Sequence, residues 1–156
     1  MQKTLLILIV VFSCGVSFAQ PRVIFMNWKN PVIRAAIEHL DSTHLDACIN
    51  GSTPDSKDCV FGGQADTVIA CFETYLHQMH KAIIDHGIVW EDSIHFWTRG
   101  YFNERGEVDA IVVHVADSLS TPQLAEAITD FAQKFRWGMT GPRPFAQCGG
   151  TMFKPK

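Results

Sequence analysis

Hydrophobic positions along this chain fall into three kinds of run. Leu5–Phe12 is an unbroken apolar block of eight residues. Farther on, Ile33, Ile37 and Leu40 recur at steps of three and four, the spacing of one helix face, and predict a helix from Pro31 to about His44. Val68, Phe72, Leu76, Met79 and Ile83 repeat that spacing, and Leu124, Ile128, Phe131 and Phe135 do so a third time. Between the second and third helical patterns the period shortens. Ser93–Phe102 and Val108–Val115 read as two strands, Val23–Met26 as a short one, and Phe145–Phe153 as a last one.

The punctuation agrees with these boundaries. Asn30-Pro31 and Thr121-Pro122 each place a capping side chain before a proline at the first helical position. Asp66 can cap the second helix, Gly87 follows it where a left-handed residue belongs, and Gly138 ends the third. Asn103-Glu104-Arg105-Gly106 joins the two long strands as a hairpin turn. A hairpin, a helix crossing one face and a returning strand predict an α+β fold. Its sheet is three-stranded and antiparallel, in the order 108–115, 93–102, 145–153, and packs against two helices. The expected division is a signal peptide over 1–19, an N-terminal helical extension and disulfide-held loop over 20–65, and a helix-strand-strand-helix-strand domain over 66–156. The last strand is expected at a sheet edge, and exposed edges are either defended or used.

Met1-Gln2-Lys3 ahead of the apolar block, and Ser17-Phe18-Ala19 after it, resemble a secretory signal cut after Ala19. The block is too short for the roughly 20 residues of a membrane span, so no stable span is expected after cleavage. Val11-Phe12-Ser13-Cys14 offers a lipoprotein site at Cys14 as the alternative. Periplasmic or secreted localisation follows from either. The formal net charge is −3, and no basic run interleaved with aromatics occurs, which argues against nucleic acid and anionic membrane surfaces as partners. With Cys14 removed, Cys48, Cys59, Cys71 and Cys148 form an even set suited to an oxidising compartment. Cys48 and Cys59 flank a Gly/Pro/Ser/Asp loop that a bridge would hold. Cys71 and Cys148 then either pair or stay as buried thiols. No C-x-x-C occurs, so redox chemistry and structural zinc lack their usual spacing.

The order helix-strand-strand-helix-strand, with Gly87-Ile88 ahead of the first strand and "FNERGEVDAIVV" as the hairpin, resembles the TonB C-terminal domain. "FRW" at the end of the third helix, a Pro/Gly connector and a short final strand extend the resemblance over about the last 90 residues. It implies a periplasmic module whose final strand pairs with a peptide from an envelope protein. Carried over, the pairing strand is Phe145–Phe153, with Phe145, Gln147, Gly149 and Thr151 as candidate binding residues. The expected function is therefore non-catalytic peptide or protein binding, without an energy-transducing anchor of its own.

Other constellations are weaker. Glu73, His77 and His80 share one helix face and have the chemistry to hold zinc or copper, but they also fit the wet flank of an apolar stripe. Cys148 before Gly149-Gly150 has the letters of a nucleophile beside backbone amides, with His95 or His114 as base. His114, Asp117 and Ser118 lie too close in sequence for a triad. Glu91-Asp92, being adjacent, point apart. No catalytic residue, metal or cofactor is assigned on these grounds. A small metal- or thiol-dependent enzyme and a purely structural envelope protein stand as alternatives. Trp97, Arg99 and Tyr101 alternate onto one strand face and are the second candidate binding surface, on a sheet side expected to meet solvent.

Overall fold

A computed structural model describes residues 21–48 and 59–154. The signal segment, Cys14 and the sequon-like Asn50-Gly51-Ser52 lie outside the described residues. Four strands run parallel and one runs against them. They are β1 (Arg22–Phe25), β2 (Leu45–Asp46), β3 (Ile94–Phe102), β4 (Val108–His114) and β5 (Phe145–Phe153), ordered β1-β4-β3-β5-β2. β1 pairs parallel with β4 and β2 parallel with β5, while β3 is antiparallel to both its neighbours. Three helices complete the fold: α1 (Pro31–Thr43), α2 (Ala65–Asp85) and α3 (Pro122–Lys134).

The expected three-stranded antiparallel sheet on two helices is therefore corrected to a five-stranded mixed sheet with three helices. The difference lies in residues 22–46. β1 adds one edge strand, α1 crosses the sheet, and β2 adds the other edge strand. The α+β class and the element order after residue 65 hold.

α1 and α3 start where a side chain can satisfy their first amides, whereas α2 follows Gln64 without a side-chain cap, and Asp66, expected to cap it, lies inside its first turn. The Asn30 carboxamide oxygen accepts from the Val32 and Ile33 amides, and the Thr121 hydroxyl oxygen accepts from the Leu124 amide. α2 and α3 bury one face of the sheet. Val68, Phe72, Tyr75, Met79 and Ile83 from α2 join Leu124, Ile128 and Phe131 from α3 against Phe96, Phe102, Ile111, Val113, Phe145 and Phe153. α1 covers part of the opposite face through Ile37 and Leu40, packed on Tyr101, Ala110, Val112 and Ala146. β4 is thus buried on both sides, which requires the continuous run Ile111-Val112-Val113 rather than alternation.

The aromatic core converges on Tyr75 and Phe102. The Tyr75 ring contacts Phe72, Phe102, Phe131 and Phe135 edge-on or stacked. Its hydroxyl is shared with the Thr98 hydroxyl at 2.9 Å. Burial pushes the phenol well above its ordinary value, so it stays protonated as the hydrogen bond requires.

Two glycines are demanded by close approach. Gly106 has φ +76°, and a Cβ there would lie 2.8 Å from the Trp137 carbonyl oxygen, whose own amide donates to the Gly106 carbonyl. Gly149 leaves room for Phe72, whose ring would stand 2.5 Å from a Cβ. Phe72 is itself buried and stacked on Tyr75, so it has little freedom to move aside. Gly149→Ala should accordingly lose about 1–3 kcal/mol by overpacking, read as a lower urea midpoint at unchanged slope. An unshifted midpoint would show that Phe72 yields freely.

Candidate functional site

β5 presents different main-chain groups to its two margins. The Leu45 amide donates to the Pro144 carbonyl (3.2 Å) and the Ala47 amide to that of Ala146 (2.8 Å). Even-numbered residues of β5 therefore direct their main-chain groups outward. Phe145, Gln147, Gly149, Thr151 and Phe153 direct theirs to β3, with which they stand in register from Phe102 to Ile94. The outer margin was expected to be free along its whole length. Instead β2 occupies it beside Phe145 and Ala146. Two residues are too few to show a strand period, which is why this pairing was not legible in the sequence.

β2 also stops abruptly. Cys48 takes φ +62°, a left-handed conformation unusual for a side-chain-bearing residue, and is bridged to Cys59 with a Cα–Cα distance of 5.4 Å. Cys59 makes an isolated bridge with Asp46, and the Val60 amide donates to the Asp46 carbonyl. At the far end of β5 the Trp90 indole N–H donates to the Lys154 carbonyl (3.0 Å). Between these stops lies a stretch from Cys148 to Met152. At roughly 3.3 Å per residue it is about 16 Å long. One outward carbonyl, that of Cys148, accepts from the Gln147 carboxamide (2.8 Å). Among the described residues no strand pairs with the outward groups of Cys148, Gly150 or Met152. Nothing guards this margin in the usual ways: Phe145–Phe153 contains no charge and no proline, and its register with β3 is unbroken.

The even-numbered residues of β5 meet β3 as close pairs, in three of which large faces small: Trp97 with Gly150, Tyr101 with Ala146 and Arg99 with Cys148; the fourth pairs His95 with Met152. Trp97, Arg99 and Tyr101, expected to form an exposed binding face, are largely covered because α1 lies over them. Tyr101 has no exposed surface, and its hydroxyl donates to Asp41 (2.9 Å). Arg99 donates through Nε to Asp41 (3.0 Å) and through Nη2 to Asp46 (2.8 Å). Burial alone would lower the Arg99 pKa, but the hydrogen bond to Asp46 and the charges of both aspartates outweigh it. Burial and the bond to Asp41 raise the Tyr101 phenol, which remains a neutral donor. Arg99 and Tyr101 thus clamp the end of α1 and β2 to the sheet.

The remaining candidates disperse. Cys71 and Cys148 are free, half-buried thiols. Cys71 packs with the α2 core, while Cys148 shares the parity of Ala146 on the α1 side, so the sheet separates them and the bridge considered for them does not form. Glu73 and His77 are exposed, whereas the His80 ring stacks on Phe153 at 4.3 Å and on Trp90. Among the described residues no group of His, Cys, Asp or Glu is arranged to hold a metal ion. Sequence reasoning assigned Trp90 no role, because the short connector Ile88-Val89-Trp90 before Glu91-Asp92 belongs to no periodic run. Among the described residues, no helix is long and apolar enough to cross a membrane. Comparisons with protein-family models, with curated proteins and with solved structures give no match to this chain.

Proposed function

We propose that this chain is an exported envelope protein that binds another polypeptide by main-chain pairing along the outer margin of β5. The carrying observation is the unguarded stretch Cys148–Met152, whose outward amides and carbonyls lie between β2 and Trp90. In such strand addition, main-chain hydrogen bonds supply affinity and flanking side chains supply selectivity. The stretch accepts a short extended segment of about five residues, since β2 blocks one end. The reading rests on polar groups at the edge of a sheet, with no part assigned to Cys148 as a nucleophile or to the α2 histidines. Export is supported by the signal-like start and by the Cys48–Cys59 bridge, a bond that persists in oxidising compartments.

Hydrogen exchange followed by NMR tests the margin directly. The amides of Cys148, Gly150 and Met152 should exchange at least about 100-fold faster than those of Gln147, Gly149 and Thr151, which bond to β3. Equal protection of both sets would mean that the margin is already paired, and the proposal would be withdrawn. Met152→Pro removes an outward N–H without touching a bond to β3, as an edge position tolerates. It should lower affinity for strand-forming peptides, selected from a random displayed library, by about ten-fold while leaving the melting temperature nearly unchanged. Thr151→Pro should instead destabilise the fold, because it deletes a bond to β3.

A further inference from the structure

A second concavity lies away from β5's outer margin, where the C-terminal end of α2 meets the start of α3. It encloses about 230 Å³. Ile83 and Gly87 end α2 on one side, Ile88, Val89 and Trp90 form the connector, and Ile94 and Phe96 supply the floor from β3. Leu119, Thr121, Gln123 and Leu124 close it from the α3 side. Several of the polar groups on its wall are already engaged. Gln123 donates its carboxamide N–H to the His86 carbonyl, the Thr121 oxygen accepts from the Leu124 amide, and the Trp90 N–H is held by Lys154. What faces the space is mostly aliphatic and aromatic, with no charged side chain, and Val89 at the rim is 64% exposed.

We propose that this cleft is a binding site for a single compact apolar group of a small molecule, an aromatic ring or short branched alkyl chain. The size follows from volume: a dry apolar cavity of about 150 Å³ takes up benzene, so 230 Å³ admits a bicyclic ring but not a long acyl chain. The class follows from the lining. The wall is mostly apolar and holds no charged side chain, so a charged ligand would lose its water without adequate replacement. Affinity then comes from the apolar area removed from water, which for one small group places it in the weak range. The site is separate from the proposed pairing margin, and its test reads different residues.

Indole is a suitable probe, titrated into the full chain while NMR follows backbone amides, methyl groups and indole N–H signals. Saturable shifts should appear at the Trp90 indole and the methyls of Ile83, Ile88, Ile94, Leu119 and Leu124, with the Trp28 and Trp137 indoles unmoved. Leu119→Trp should fill the cleft and weaken binding at least ten-fold. Val89→Asp, at an exposed position that does not threaten folding, should weaken it several-fold by placing a charge at the rim. Non-saturating shifts, shifts centred on other surfaces, or binding undiminished in Val89→Asp would overturn the proposal.

Discussion

Phe102→Ala should cost about 3–5 kcal/mol, the range for removing a fully buried aromatic ring and leaving a cavity. Phe102 has no exposed surface, and its ring lies 4.8 Å from Trp137, 5.2 Å from Phe145, 5.9 Å from Tyr75 and 6.2 Å from Phe135, centre to centre. Those four neighbours come from α2, β5 and the segment that begins with the end of α3, so the ring joins elements that β3 alone would not hold together. The space beside Gly100 is taken by the same ring, 2.7 Å from where a Cβ would sit. Collapse into the vacated volume is therefore resisted by a packed aromatic wall on every side. A domain of this size has roughly 5–15 kcal/mol in total, so the variant should be largely unfolded or melt well below the parent. Urea titration followed by near-ultraviolet circular dichroism would measure it. A loss under about 1 kcal/mol would show that Phe102 is not the junction of the core. Phe102→Leu should keep most of the stability.

What the sequence revealed depended on how many turns or alternations an element had in which to show itself. α2 and α3 were legible because Val68, Phe72, Met79 and Ile83, or Leu124, Ile128, Phe131 and Phe135, repeat over about three or more turns, with Gly87 after α2 and Pro122 opening α3. The β3–β4 hairpin was legible from Gly106 and its flanks. β2 was not, since Leu45-Asp46 is defined by bonds to Pro144 and Ala146, about one hundred residues away in sequence. The covering of the second face left a trace that can be read in retrospect. Ile111-Val112-Val113 is apolar on both parities, and a strand with one wet face would have alternated. Tyr101 illustrates the cost of ignoring that trace. Period two correctly placed it opposite Phe102's face, but the same period cannot say whether a helix lies above. At the candidate site, the residues of β5 were identified while their orientation was not. Gln147, Gly149 and Thr151 turn out to bond inward, and the outward amides belong to Cys148, Gly150 and Met152.

Replacing both Cys48 and Cys59 by serine should destabilise the protein by about 3 kcal/mol, the loop-closure estimate for a crosslink of this span. The sequence separation is eleven residues, long enough for the unfolded chain to regain appreciable freedom once the bridge is gone. The loss should be local before it is global. β2 is two residues long and is held by two backbone bonds to β5, the Asp46–Cys59 bridge and the pairing of Asp46 with Arg99. The Arg99 contact is partly solvated and so adds little by itself. Without the disulfide, the left-handed turn at Cys48 loses what constrains it, and the Ala47 amide should exchange with solvent faster than in the parent by more than the global loss explains. That outcome bears on binding as well. Releasing β2 would free the outward carbonyls of Pro144 and Ala146 and lengthen the exposed margin beyond Cys148–Met152. The serine variant should then favour longer extended peptides than the parent does, and aggregate more readily at high concentration, as an enlarged bare edge would. If it lost stability but kept the parent's length preference, β2 would be shown to hold its place on β5 without the crosslink.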